Sequence, residues 1–305
     1  MNLKNASPSK ESTIIERKSV DDKQNLKSAF LINLGILAKS LNAYVSTADG
    51  NWAIKGFIDI YKNIFTISSD TKIISKILEI HIFPKLLEFS EKFGYRIVLT
   101  DHQNYYPDLT FIKAEDESIK FAVDLKSTYR SADNPVYCNG FTLGSHGEYF
   151  QNRSSKKNIQ FPYKEYLGHF CIGIIYTRVV HATIDETRIT QLSQLHSITS
   201  VINDLRFFVA EKWKIASDTQ GSSNTANIGS IVKIVDLESG NGVFSKLGED
   251  WFDDYWMNYG KITITNEEGK TKKITRLVDF VKYRKGDVNL IVKKDGKKKA
   301  GIIEN

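Results

Sequence analysis

Pro107-Asp108 is followed, across a spacer of residues 109–123, by Asp124-Leu125-Lys126. Two acids and an amine in this order supply what metal-assisted hydrolysis of a phosphodiester needs. Magnesium prefers hard oxygen ligands, commonly one or two carboxylates plus waters and a phosphate oxygen. The cation draws charge off the phosphate and makes water more acidic. A nearby ammonium stabilises the negative charge that builds up in the transition state. On a strand, Asp124 and Lys126 lie two positions apart and face the same side. An antiparallel partner strand then brings Asp108 beside them. Taken alone, the three residues fit a surface ion pair at the end of a hairpin equally well.

Acid-x-Lys triplets are common, and the chain also carries Glu16-Arg17-Lys18, Asp21-Asp22-Lys23, Glu268-Gly269-Lys270 and Asp295-Gly296-Lys297. Those four lie in polar or glycine-containing segments that read as solvated surface. Asp124-Leu125-Lys126 ends an apolar strand, FAVDLK, and follows the single Pro-Asp pair of the chain.

The elements that must position these groups form an alternating series. The stretch to about Val20 is polar and without a sustained period, which predicts flexibility. Residues 24–43 predict a helix with Leu26, Phe30, Leu34 and Leu37 on one face. Segment 52–68 reads as a hairpin turning near Lys62 and Asn63. A helix starts at Ser69 or Asp70 and stops at Gly94, with Pro84 kinking or dividing it. Two strands, 108–114 and 119–127, flank the acidic turn Glu115-Asp116-Glu117, and an antiparallel pair is the simple arrangement. The nearly apolar HFCIGIIYTRVV at 169–180 predicts a strand covered on both faces. A helix around 189–204, a strand near 206–216, a polar loop over 217–230 and a short aromatic helix at WFDDYWMNYG follow. Together these predict an α/β fold, a mixed central sheet with helices on both sides.

Bulk properties narrow the function. The 305 residues are 41% hydrophobic and 26% charged, enough for a substantial core under a charged surface. No apolar run reaches the ~20 residues that span a bilayer, and the first thirty residues lack a signal-peptide stretch. The expectation is a cytoplasmic protein with no membrane partner. Cys138 and Cys171 form no CxxC pair, and the six histidines make no HExxH, so neither a disulfide framework nor a zinc site is expected. The formal charge of +6 permits a polyanionic partner. Lysines crowd 293–299, and Arg153, Lys156 and Lys157 form a second basic cluster.

From Ser69 to about Tyr259 the chain resembles the EcoRV-type branch of type II restriction endonucleases. The resemblance rests on SSDTKIISKILE at 68–79, FGYRI at 93–97, NYYPDLT at 104–110 and AVDLKSTY at 122–129. It continues through FTLG at 141–144, KNIQFPY at 157–163, IIYTRV at 174–179 and NTANIGSI at 224–231, all in the same order. It implies a restriction-endonuclease-like core of the PD-(D/E)xK kind, with Asp108 and Asp124 as metal ligands and Lys126 as the catalytic lysine. Glu79 matches a helical glutamate of the family's active site and is expected as a third catalytic and metal-binding acid. The implied cofactor is Mg2+, with Mn2+ able to substitute, and the implied partner is double-stranded DNA.

SDTQGSSNTAN at 217–227 resembles the family's major-groove loop, of pattern GSGNTTN. It nominates Gly221, Ser222, Ser223, Asn224, Thr225 and Asn227 for DNA binding, Asn224 by paired bonds to an adenine edge and Thr225 by its methyl. Gln103 and Asn104 match a loop facing the minor groove. Thr71, Lys72 and Lys157 match backbone-contacting positions that fix register. Ser223 replaces a glycine of the pattern and Ala226 a threonine, which bears on the sequence read.

The organisation implied is a flexible extension over 1–23, one nuclease domain over 24–260 with a dimerisation hairpin at about 52–68, and a basic C-terminal extension over 261–305. A homodimer reading a palindrome follows from the resemblance, with GATATC or a relative as its site and blunt, 5′-phosphorylated ends. A cognate DNA methyltransferase is expected in the host, not as a physical partner. Two alternatives keep parts of the chemistry: a shape-reading repair or junction-resolving nuclease, and a DNA-binding protein with an inactive site.

Overall fold

The computed structural model describes residues 10–102, 104–179, 187–221, 226–265 and 269–293. Helix α1 (Lys10–Val45) precedes the hairpin of β1 (Gly56–Ile58) and β2 (Asn63–Thr66), and α2 (Thr71–Phe93) follows. Next come β3 (Tyr95–Leu99), β4 (Leu109–Lys113), β5 (Asp116–Arg130), β6 (Thr142–Ser145) and the one-turn α3 (Glu148–Gln151). Strands β7 (Tyr166–Arg178), β8 (Ile189–Gln191) and β9 (Ile202–Glu211) lead into the one-turn α4 (Lys212–Ile215). The remainder is β10 (Ala216–Gln220), β11 (Asn227–Ser230), α5 (Ile234–Ser239), α6 (Glu249–Asn258), the pair β12 (Thr263–Thr265) and β13 (Thr271–Lys273), and α7 (Leu277–Tyr283).

The central sheet has the order β3-β4-β5-β7-β9, with β5 and β7 parallel and every other neighbour antiparallel. This is the mixed α/β architecture expected from the alternation of elements. Its period of two divides β5 between two cores. Phe121, Val123 and Leu125 join an apolar cluster with α1 and α2, while Ala122 joins the cluster on the opposite face with α6 and α7.

Phe30 of α1 is fully buried and stacks on Phe121 at 4.1 Å, with Phe89, Tyr95, Phe111 and Phe170 also around its ring. Burying one such ring contributes about 1.5–3 kcal/mol. Residues 21–45 are long and apolar enough by composition to cross a membrane, contrary to the expectation from sequence. That apolarity is used in packing: Phe30, Leu34, Leu37, Leu41 and Val45 are all buried in the core.

Helix α2 begins as its sequence dictates. The Asp70 carboxylate accepts from the amides of Lys72 and Ile73, and Gly94 closes the helix at φ 71° and ψ 41°. The left-handed backbone there suits glycine, which has no Cβ to clash. Pro84 does not divide the helix.

Four elements depart from expectation. Helix α1 starts at Lys10, inside the segment read as a flexible extension. Residues 189–204 are not a helix: β8 pairs with β2, a 3-10 turn covers Leu192–Ser197, and β9 begins at Ile202. Much of the polar stretch 217–230 is strand, because β10 and β11 pair with each other and β11 pairs with β6. The body also continues past residue 260, since Leu277, Phe280 and Val281 of α7 are buried against α6.

Candidate active site and nucleic-acid interface

Strands β4 and β5 pair in register Leu109↔Val123 and Thr110↔Ala122. One step further along that register, Asp108 faces Asp124. The Asp108 amide donates to Asp124 Oδ1 at 3.2 Å, and the Leu125 amide donates to Asp108 Oδ2 at 2.8 Å. Both acids are therefore held by main chain as well as by their strands. Lys126 returns to the same face of β5 and closes the group: its Nζ lies 3.1 Å from Asp108 Oδ2 and 3.5 Å from Asp124 Oδ2.

Burial sets the electrostatics. Asp124 is 5% exposed, and desolvation, which outweighs the pull of Lys126, raises its carboxyl above the ordinary value. Burial alone would lower Lys126, but the Asp124 and Asp108 carboxylates together raise it above the usual lysine value. The ammonium thus stands as a positive charge between the two carboxylates. Hard oxygen donors meeting on one cation are the donor set that suits magnesium.

Glu79 does not complete a three-acid cluster. Among the described residues no three His, Cys, Asp or Glu side chains stand together as a metal site. The reason is the pleat. Asp124 and Lys126 share the face of Ala122, whereas α2 packs with Val123 and Leu125 on the other. Glu79 is half-buried there and pairs with Lys76 at 2.9 Å.

The proposed DNA contacts are only partly within view. Gln103, Ser222, Ser223, Asn224 and Thr225 lie outside the described residues. Gly221 and Asn227 frame the loop, with the Gly221 amide donating to the Asn227 carbonyl at 2.9 Å. Gly221 and Gly229 let the two strands approach closely, since a Cβ on either would stand 3.1 Å from the other's Cα. Thr71 opens α2, and Lys72, Asn104 and Lys157 are exposed. Arg153 is not part of an open basic cluster: it pairs with Asp253 at 2.9 Å and lies over the Tyr163 ring.

One neighbour of the site escaped the sequence reading. Lys212, the first residue of α4, is 3% exposed, and its ammonium has no hydrogen-bond partner among the described residues. Burial pulls its pKa down to about 8, against the attraction of Asp124. In EKWKI it looks like a surface lysine, and no local signal marks it.

A three-stranded sheet, β1-β2-β8, stands apart from the central one. Phe57, Phe65 and Ile189 face one another across its three strands, and all three are exposed. Ile58, Ile60 and Tyr61 at its turn are exposed as well.

The chain matches the family described as Restriction endonuclease EcoRV over residues 48–285. It is 37% identical over 205 residues to the type II restriction enzyme EcoRV of Escherichia coli, which covers 67% of this chain and 81% of that protein.

Proposed function

The chain belongs to the EcoRV family of restriction endonucleases and is a type II site-specific deoxyribonuclease; from that premise we propose how it cuts and what it reads. Asp108 and Asp124 hold Mg2+, which Mn2+ can replace, and Lys126 stands beside the scissile phosphate. The observation that carries this reading is the Lys126 ammonium held between the two carboxylates on one sheet face. When bound there, the cation draws charge from a phosphate oxygen and makes water more acidic.

Asp108 and Asp124, fixed by main-chain amides, would hold the cation and accept a hydrogen bond from the attacking water. The Lys126 ammonium stabilises the negative charge that gathers on the phosphoryl oxygens. Water adds to phosphorus in line and gives up a proton to solvent, the P–O3′ bond breaks and the 3′ oxygen takes a proton from solvent, so the products carry a 5′ phosphate and a 3′ hydroxyl. Glu79 pairs with Lys76 at 2.9 Å and is given no step in this scheme.

The protein works as a homodimer, each copy cutting one strand of a palindrome, because a two-fold axis presents the same half-site to each subunit. The apolar row Phe57, Phe65 and Ile189 supports the hairpin sheet as the contact between copies, since contiguous exposed apolar surface marks interaction sites. Residues 221–227 read bases in the major groove, Gln103 and Asn104 reach the minor groove, and Thr71, Lys72 and Lys157 touch phosphates. GATATC or a close relative, cut to blunt ends, is the proposed site. The reaction takes place in the cytoplasm, with a host methyltransferase guarding the same sequence.

Asp124→Ala tests the core of this proposal. Plasmid cleavage in Mg2+ should fall by about 10^3-fold or more, while binding to duplex DNA survives. A variant that cuts at the wild-type rate overturns the assignment. Sequencing the ends of cut DNA reads the site directly.

A further inference from the structure

Reading Asp108, Asp124 and Lys126 as a cation site leaves a neighbouring charge without a use. Asp124 pairs with Cys171 on β7, and Cys171 pairs with Ala210 on β9. Lys212 opens α4 directly after β9, two residues beyond Ala210, and its position is fixed by the rings it meets. Its ammonium is 4.8 Å from the centre of the Tyr106 ring, with Phe150 and Tyr163 at 5.7 and 5.9 Å. Tyr106 immediately precedes Pro107-Asp108. The lysine therefore stands in an aromatic chamber whose Tyr106 wall belongs to the segment that carries Asp108.

Stability gives no reason for a lysine here. A buried ammonium without a hydrogen-bond partner is costly to desolvate, and an aromatic ring returns only part of that cost. A methionine of similar length would pack without the cost. The nearby Asp253 does not serve as its partner, being held by Arg153 at 2.9 Å. The strongest attraction on Lys212 comes from Asp124. Two carboxylates with Lys126 carry one net negative charge, and with Lys212 they carry none.

We propose that Lys212 is a positioning residue for the cation site, its charge offsetting that of the Asp108 and Asp124 carboxylates. The DNA-free protein then holds a divalent cation less tightly than Asp108, Asp124 and Lys126 alone would hold it. The same neutrality lowers the repulsion that a DNA phosphate meets on approach. The proposal rests on the cation-site reading above.

The test uses the full chain at pH 7 and low salt, with Lys212→Met, Lys212→Gln and Lys212→Arg. Mn2+ alone is titrated into each protein without DNA, and a short GATATC duplex is titrated in EDTA. Removing the charge should tighten Mn2+ by roughly five- to twentyfold and weaken metal-free DNA binding several-fold, with Lys212→Arg close to wild type. A merely structural role would weaken both together. Unchanged or weaker Mn2+ binding in a folded neutral variant overturns the proposal, as does failure of both neutral variants to fold. Wild-type Mn2+ binding by Asp124→Ala would instead overturn the cation-site reading itself.

Discussion

Alternate residues of β5 enter two unlike environments. Phe121, Val123 and Leu125 meet a dry cluster built from α1 and α2, where Phe30, Phe89, Phe111 and Phe170 pack edge and face. Asp124 and Lys126, one step out of phase, lie with Ala122 toward the other cluster, where Tyr106, Tyr149, Tyr163 and His169 pack together and Lys212 lies over Tyr106. On the first face burial is favourable almost everywhere. On the second, desolvation perturbs nearly every group: it drives His169 well below its ordinary pKa and raises Tyr106 well above. The tyrosine hydroxyl and the His169 ring share a hydrogen bond at 2.9 Å, so the two remain neutral partners. The contrast teaches that one sheet separates holding from reacting by the two-residue period of its strands.

Phe121→Ala should break the holding face alone. Loss of a fully buried ring and the cavity left behind cost about 3–5 kcal/mol, read from urea unfolding, while the protein that remains folded should cleave normally. If cleavage per folded molecule falls in step with stability, the separation is wrong. Lys126→Gln should do the reverse. It should lower the cleavage rate by about 10^2- to 10^3-fold, or about 3–4 kcal/mol in the barrier, with a far smaller change in the unfolding midpoint than Phe121→Ala. Equal losses of stability in the two variants would erase the contrast.

Lys27 sharpens the comparison, because α1 crosses from the holding face to supply it. It pairs with Glu211 at 2.6 Å and Glu249 at 2.5 Å beneath the polar face. Against burial, which lowers it, Glu249 and Glu211 raise Lys27; against burial, which raises it, Lys27 and Lys214 lower Glu211. Stability from Glu211 is therefore present above an unfolded carboxyl pKa of about 4.3, and it is lost as pH falls through the depressed folded value. Stability from Lys27 is present below about 10.4 and is lost as pH rises through its folded value. Glu249, raised by burial, has the opposite sign to Glu211 and relaxes when protonated. Lys27→Met should then cost about 2 kcal/mol near pH 7, and less below about pH 4 as both glutamates take up protons. Thermal melts at the two pH values measure this, and a cost that does not shrink in acid would exclude the ion pair as its source.

The strands of the site were legible because their chemistry is local. An apolar run ending in Asp-x-Lys, opposite a Pro-Asp pair, fixes face and register together. The hairpin at 52–68 and the helix from Asp70 to Gly94 were legible for the same reason, through turn and cap residues. Ile189, Leu192 and Leu195 recur every three residues and so imitate a helix. Their segment is instead decided by the distant β2, which takes Ile189–Gln191 as a third strand. Ser, Thr and Asn at 217–230 looked like loop because their ladder partner, β6, is remote in sequence. Lys212 was invisible on the same principle: only packing from four separate segments surrounds it. Glu79 shows the converse, a residue named by likeness on a helix that packs with Val123 and Leu125.

The ring of Phe30 has one more consequence. Family membership begins at residue 48, yet five aromatic neighbours of the dry core close around a side chain that precedes it. Trimming a recombinant version to the shared boundary would leave those neighbours lining an open, sticky hollow, so a minimal enzyme of this lineage has to be cut from its contacts and not from its alignment.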